Sequence, residues 1–138
     1  MKEETKTLIK YRLDRSFEAI EEAKILLDGG YGNTYVNRLY YACFYSVSAL
    51  LLSIGLTSSK HSGTRSLFHQ SFIKPGLVAK EFGQLYNKLF DNRQKGDYAD
   101  FVRFNIDEVR EWYVETTLFV KEMEKRISKE IENQSNKT

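Results

Sequence analysis

The side chains of this sequence best suited to chemistry are Arg38, Arg93 and Asp97, with Asn37, Tyr41 and Tyr98 as close chain neighbours. Guanidinium forks hold phosphate by paired hydrogen bonds. An asparagine amide and tyrosine rings or hydroxyls can meet a base or a ribose. One reading of the set is therefore a nucleotide or RNA site. The other is structural, with Asp97 neutralising an arginine carried on an apolar helix. Combined, they give a definite expectation: Asp97 offsets Arg38, which holds the frame, and Arg93, near a helix end, is left to meet a phosphate. A second basic group, Lys60, His61 and Arg65, surrounds the start of a short helical stretch. Exposed amides and positive side chains can bind an anion there, and a solvated loop is the plainer reading.

Other catalytic patterns are thin. There are two histidines, His61 and His69, and one cysteine, with no HExxH, CxxC or phosphate-loop glycine pattern. His61, His69 and a carboxylate make a weak zinc signal at that spacing, so no metal or other cofactor is expected. The carboxylates are spread over helix exteriors, most of them within four residues of a Lys or Arg, the pattern of solvated pairing.

The element that must position these residues is the run Asn33 to Gly55, in which Arg38 is the only charged side chain. Val36, Leu39, Tyr40, Cys43, Val47, Leu50 and Ile54 fall on one broad helical stripe, so this helix should be central and the most buried. A membrane span is the rival reading, because Leu39 to Leu56 carries no charge. Its tyrosines and serines, and the amphipathic segments on either side, argue against that. Ile9, Leu13, Phe17, Ile20, Ala23 and Leu27 mark an amphipathic helix over Thr5 to Asp28, ended by Gly29 and Gly30. Asn33 is the expected N-cap of the central helix. Thr64 to Ile73 reads as a short helix broken by Lys74-Pro75-Gly76, and Leu77 to Arg93 as a longer one with Gly96 as its stop. Asn105 and Glu108 form a capping-box pattern opening the last helix, which carries Trp112, Phe119, Val120, Met123 and Ile127 inward. Nothing alternates with the period of a strand.

The expected fold is all-α, an up-and-down four-helix bundle with one extra short helix. A single domain over 1–132 would precede a frayed polar tail, 133–138. In such a bundle Arg93, Asp97 and Tyr98 return to the level of Asn37, Arg38 and Tyr41. Arg38 lies roughly 24 Å along the helix from Ile54, so His61 and Arg65 are expected in a separate polar region.

A net charge of +2 with both signs interspersed excludes a strongly basic nucleic-acid binder but not a local basic site. Cys43 sits alone on the apolar stripe and reads as a core residue. The charged start MKEETKTLIK has no apolar signal segment, which places the expected protein in the cytoplasm. Aromatic residues make up 14% of the chain, and aromatics are favoured in interface cores as well as interiors.

Three stretches, NRLYYACFYSVSALLLSIGL, KHSGTRSLFHQSFIKPG and LYNKLFDNRQKGDYADF, together resemble the HEPN-domain family of small prokaryotic helical proteins. The most telling pieces are Asn37-Arg38 with Tyr40-Tyr41-Ala42, then His61-Ser62-Gly63, then Arg93 followed by Gly96-Asp97-Tyr98. The resemblance implies a helical bundle that is commonly dimeric and often encoded beside a minimal nucleotidyltransferase in a toxin-antitoxin or defence module. Active members are metal-independent endoribonucleases using an arginine and a histidine with four to six residues between them, facing their copies across a dimer. No histidine follows Arg93, Arg103 or Arg110 at that spacing, and Arg65 to His69 is one residue too short. Two functions from different classes are thus expected. One is a HEPN-like module component that engages nucleotide or RNA, up to weak ribonuclease action. The other is a non-catalytic homodimeric module that binds a nucleotidyltransferase partner.

Overall fold

The computed structural model describes residues 1–136, and among these there are helices and no strands. The elements are α1 (Glu3–Gly29), α2 (Gly32–Ser53), α3 (His61–Phe68) continued by a π-helical turn (His69–Ile73), α4 (Lys80–Tyr98), α5 (Ile106–Val109) and α6 (Trp112–Ser135). The all-α bundle expected from the periodicities is present. α2 is its centre, in contact with α1, α3, α4, α5 and α6. No helix among the described residues is long and apolar enough to cross a membrane.

The stripe on α2 explains the arrangement. Val36, Leu39, Tyr40, Cys43, Val47 and Leu50 are fully buried, and each large apolar side chain removed from water contributes about 1.5–3 kcal/mol. α1 approaches α2 closely because small residues, Ser16, Ala19 and Ala23 on α1 with Ala42 on α2, are buried in the bundle. The Ser16 hydroxyl donates to the Ala42 carbonyl at 2.6 Å, which satisfies that buried polar group. On the other side, Tyr40, Phe68, Tyr86 and Phe119 form a chain of ring contacts linking α2, α3, α4 and α6.

Four local expectations are corrected by tertiary contacts. Gly30 takes the left-handed conformation (φ 79°) and the Tyr31 amide returns to the Leu26 carbonyl, so α2 already begins at Gly32. Asn33 is therefore inside the helix and caps nothing. Its amide donates to the Gly96 and Val102 carbonyls at 3.2 and 2.9 Å, and its oxygen accepts the Phe104 amide at 2.9 Å. It ties down the strap 99–105, which turns at the exposed Phe101 (φ 65°). Gly96 does not stop α4, which runs on to Tyr98; a side chain there would meet the Phe104 ring. Asn105 does cap, accepting the Asp107 amide at 2.9 Å, but the last helix is broken after Val109. The Tyr35 hydroxyl donates to the Val109 and Arg110 carbonyls at 2.9 and 3.1 Å, satisfying groups that a continuous helix would have used itself. Finally, α6 extends into the stretch expected to fray, where Gln134 donates to the Ser53 carbonyl; residues 137–138 of that tail lie outside the described residues.

Candidate functional site

α2 and α4 run antiparallel, so the N-terminal half of α2 faces the C-terminal half of α4, as expected. Arg93 is the centre of what gathers there. Its side chain is 5% exposed, and its guanidinium lies 4.7, 5.6 and 5.9 Å from the ring centres of Tyr40, Tyr41 and Tyr98. One turn further along α4, Asp97 pairs with it at 3.6 Å. The buried Arg93 Nε has no hydrogen-bond partner among the described residues.

The pairing and burial of the two arginines are the reverse of those expected. Asp97 faces Arg93 and accepts from the Asn37 amide at 2.9 Å. Arg38 reaches this network only through Asn37, donating from Nε and Nη2 to Oδ1 at 3.0 and 2.8 Å. Its Nη1 points back towards α1 and Glu22 at 3.5 Å, and its guanidinium covers the Tyr41 ring at 4.9 Å. The Arg38 side chain is 23% exposed. The reason is geometric: Arg38 lies on the flank of α2 towards α1, whereas Arg93 projects from α4 into the aromatic seam. A long flexible side chain takes its partner from whichever flank offers one.

One residue of the second polar region, His61, crosses to the first. The connection 54–60 folds back along α2 instead of continuing past its end; a segment of that length reaches about 20 Å. It delivers His61 onto Tyr40, Tyr41 and Phe44, with ring centres 5.6, 5.8 and 4.4 Å away. His61 Nδ1 and the Tyr40 hydroxyl are 2.7 Å apart. Lys60 and Arg65 do not join His61 in a shared anion site. Lys60 is exposed, while Arg65 lies over Phe90 at 3.9 Å and pairs with Asp91 at 3.5 Å. His69 turns elsewhere, to Asn87 at 3.0 Å, and no cluster of three or more metal-ligating side chains is found among the described residues.

Burial, reinforced by the nearby Arg93 charge, holds the His61 imidazole below its usual pKa. Burial pushes the Tyr40 phenol up to about 12. At neutral pH the pair is thus an uncharged imidazole bonded to an uncharged phenol. Tyr40 can donate to Nδ1 or accept from it, and either arrangement leaves the second ring nitrogen for proton transfer. A histidine, missing at the expected sequence spacing from an arginine, is brought by α3 to the same tyrosine ring that Arg93 covers from α4. Tyr40 and His61 were separable from ordinary core and loop residues by one signal only. A tyrosine in place of leucine on a buried stripe brings a hydroxyl that must find a partner.

The lowered pKa has a consequence for stability. As pH falls below about 6.5, the unfolded chain takes up a proton on His61 that the folded chain resists, so folding free energy is lost through that interval and is fully present above it. We expect His61→Phe to flatten this part of the profile. Urea midpoints of wild type and variant at pH 7 and pH 5 check it, and parallel losses would contradict it.

The class defined by these features is an all-α bundle with an arginine-tyrosine-histidine patch on the flank of its central helix. The chain belongs to the HEPN domain family, whose match spans residues 9–127. It is 43% identical over 124 residues to a UPF0332 protein of Thermotoga maritima, covering 90% of this chain and 94% of that one. Two Methanocaldococcus jannaschii proteins named as candidate toxins are 35% identical over 82 residues and 31% over 96. The shared segments cover 59% and 70% of this chain and 61% and 65% of theirs.

Proposed function

We propose that this protein is the HEPN component of a prokaryotic toxin-antitoxin or defence module and engages RNA or a nucleotide at the Arg38-Arg93 patch. The observation that carries this reading is the placement of two guanidiniums and a neutral histidine around one tyrosine, Tyr41. Arg93, held from behind by Asp97, supplies fixed positive charge. Arg38, the more exposed of the two, is the guanidinium that reaches a phosphate. Tyr98, 76% exposed, offers a stacking face at the rim. His61 is placed to move a proton during attack of a 2'-hydroxyl, which makes weak metal-independent RNA cleavage the activity to look for. The toxin names carried by two relatives support the module assignment. A homodimer in the cytoplasm, neutralised by a minimal nucleotidyltransferase partner, completes the proposal.

Labelled RNA and labelled ATP, titrated into wild type, Arg38→Ala and Tyr98→Ala, test it. Loss of an exposed stacking ring or a phosphate contact should weaken binding by roughly tenfold or more, with little change in melting temperature. Undetectable binding of both ligands by wild type would overturn the reading.

A further inference from the structure

Beyond the patch, the tyrosine ladder on α2 leads into a cleft that the proposed site does not use. Tyr45 follows Tyr41 one helical turn on, with ring centres 5.8 Å apart. Arg15 of α1 lies over Tyr45 at 5.2 Å and its Nη2 donates to the Tyr45 hydroxyl at 3.2 Å. Arg12, three residues earlier on α1, donates to the Ser48 carbonyl at 3.4 Å. These side chains, with Tyr11 and Ser58, line a cleft of about 370 Å³ between α1, α2 and the connection to α3.

The order along this face is cation, ring, ring, cation: Arg38, Tyr41, Tyr45, Arg15. Each guanidinium of the cleft makes one long hydrogen bond to the protein. A further contact, Arg15 to Glu18, is 3.9 Å. A guanidinium has five N–H donors, so most of those of Arg12 and Arg15 are uncommitted among the described residues. Phe44 forms a wall of the cleft and also packs on His61, so the cleft and the patch share a partition.

We propose that this cleft is a second phosphate subsite, for the backbone of a single-stranded RNA whose neighbouring nucleotide occupies the Arg38 patch. The inference rests on the reading of that patch given above. Spaced cations that follow a sugar-phosphate backbone, with aromatic faces between them for bases, are the arrangement that binds single strands without reading sequence. An acidic protein segment would use the arginines but not the two planar faces between them.

The test compares a labelled oligouridine long enough to span both sites with a labelled uridine mononucleotide, on the full chain. Wild type is set against the double variant Arg12→Gln/Arg15→Gln and against Thr57→Glu. Thr57 is exposed at the cleft and its replacement removes no packing. Both variants should weaken oligouridine binding by roughly tenfold while leaving the mononucleotide unaffected. For the double variant the slope of log affinity against log salt should fall by about 1.4, the value for two released counterions on a single strand. Unchanged oligouridine affinity and salt slope in both variants would overturn the subsite and leave the cleft to an acidic protein partner. Oligouridine binding that depends on the cleft arginines without any mononucleotide binding would uphold the subsite and sink the reading of the Arg38 patch. No oligouridine binding by wild type would sink both.

Discussion

Arg93→Ala is expected to lower the melting temperature by roughly 8–12 °C, while Arg38→Ala changes it by only a few degrees. The Arg93 side chain is almost fully buried against Tyr40, and its removal leaves a void in the aromatic seam and Asp97 without its cation. Truncating a buried charged partner, with loss of its packing, costs about 2–3 kcal/mol in a site that is partly solvated on one side. Asp97 keeps its hydrogen bond from Asn37, which limits the loss. Near the melting temperature each kcal/mol corresponds to about 4 °C for a domain of this size. Arg38 has a half-exposed partner in Glu22 at a long distance, a contact that contributes at most about 1 kcal/mol. Thermal melts followed by circular dichroism decide the matter, and equal shifts for the two variants would refute the assignment of Arg93 as the buried arginine.

Gly32→Ala should be as damaging, for a different reason. A Cβ at Gly32 would stand 2.2 Å from the Phe104 carbonyl oxygen and 3.1 Å from its carbon, both backbone atoms. Neither can swing aside without moving the strap 99–105. Displacing it also breaks the three hydrogen bonds that Asn33 makes to Gly96, Val102 and Phe104. Together these predict a loss of about 2–4 kcal/mol. The strap follows directly on Asp97 and Tyr98, so amide exchange across 97–104 should accelerate as well. Gly29→Ala is the control. Its Cβ would touch only the exposed Tyr31 ring, at 3.0 Å, which can turn away. An alanine within α1 then gains up to about 1 kcal/mol of helix propensity. If both substitutions proved harmless, the close approach of α2 and the strap would be disproved.

Much of this molecule follows from local patterns. The apolar stripe from Val36 to Leu50 specifies a central helix because no other segment lacks a charged side to face water. Gly30 and Asn105 mark real chain boundaries because left-handed backbone and a side-chain acceptor are properties of single residues. Antiparallel succession brings Asn37 opposite Asp97 because the connections leave few other routes. The set of residues at the candidate site, Asn37, Arg38, Tyr41, Arg93, Asp97 and Tyr98, is legible to that extent.

What periodicity does not encode is where a long side chain ends or where a loop comes down. Arg38 and Arg93 are equally basic and equally flexible. Only the packed seam of Tyr40, Tyr41 and Tyr98 determines that Arg93 is enclosed and Arg38 turned towards Glu22. The connection 54–60 has no periodicity to read, yet its path places His61 against Tyr40, in a region from which helix length alone keeps it apart. Asn33 and Tyr35 look like a cap and a core ring, but spend their polar atoms on the strap and on the α5–α6 break. For His61, Asn33 and Tyr35 a hydrogen bond between groups distant in the chain outweighs a local preference, since a buried polar atom left unpaired costs more than the preference is worth.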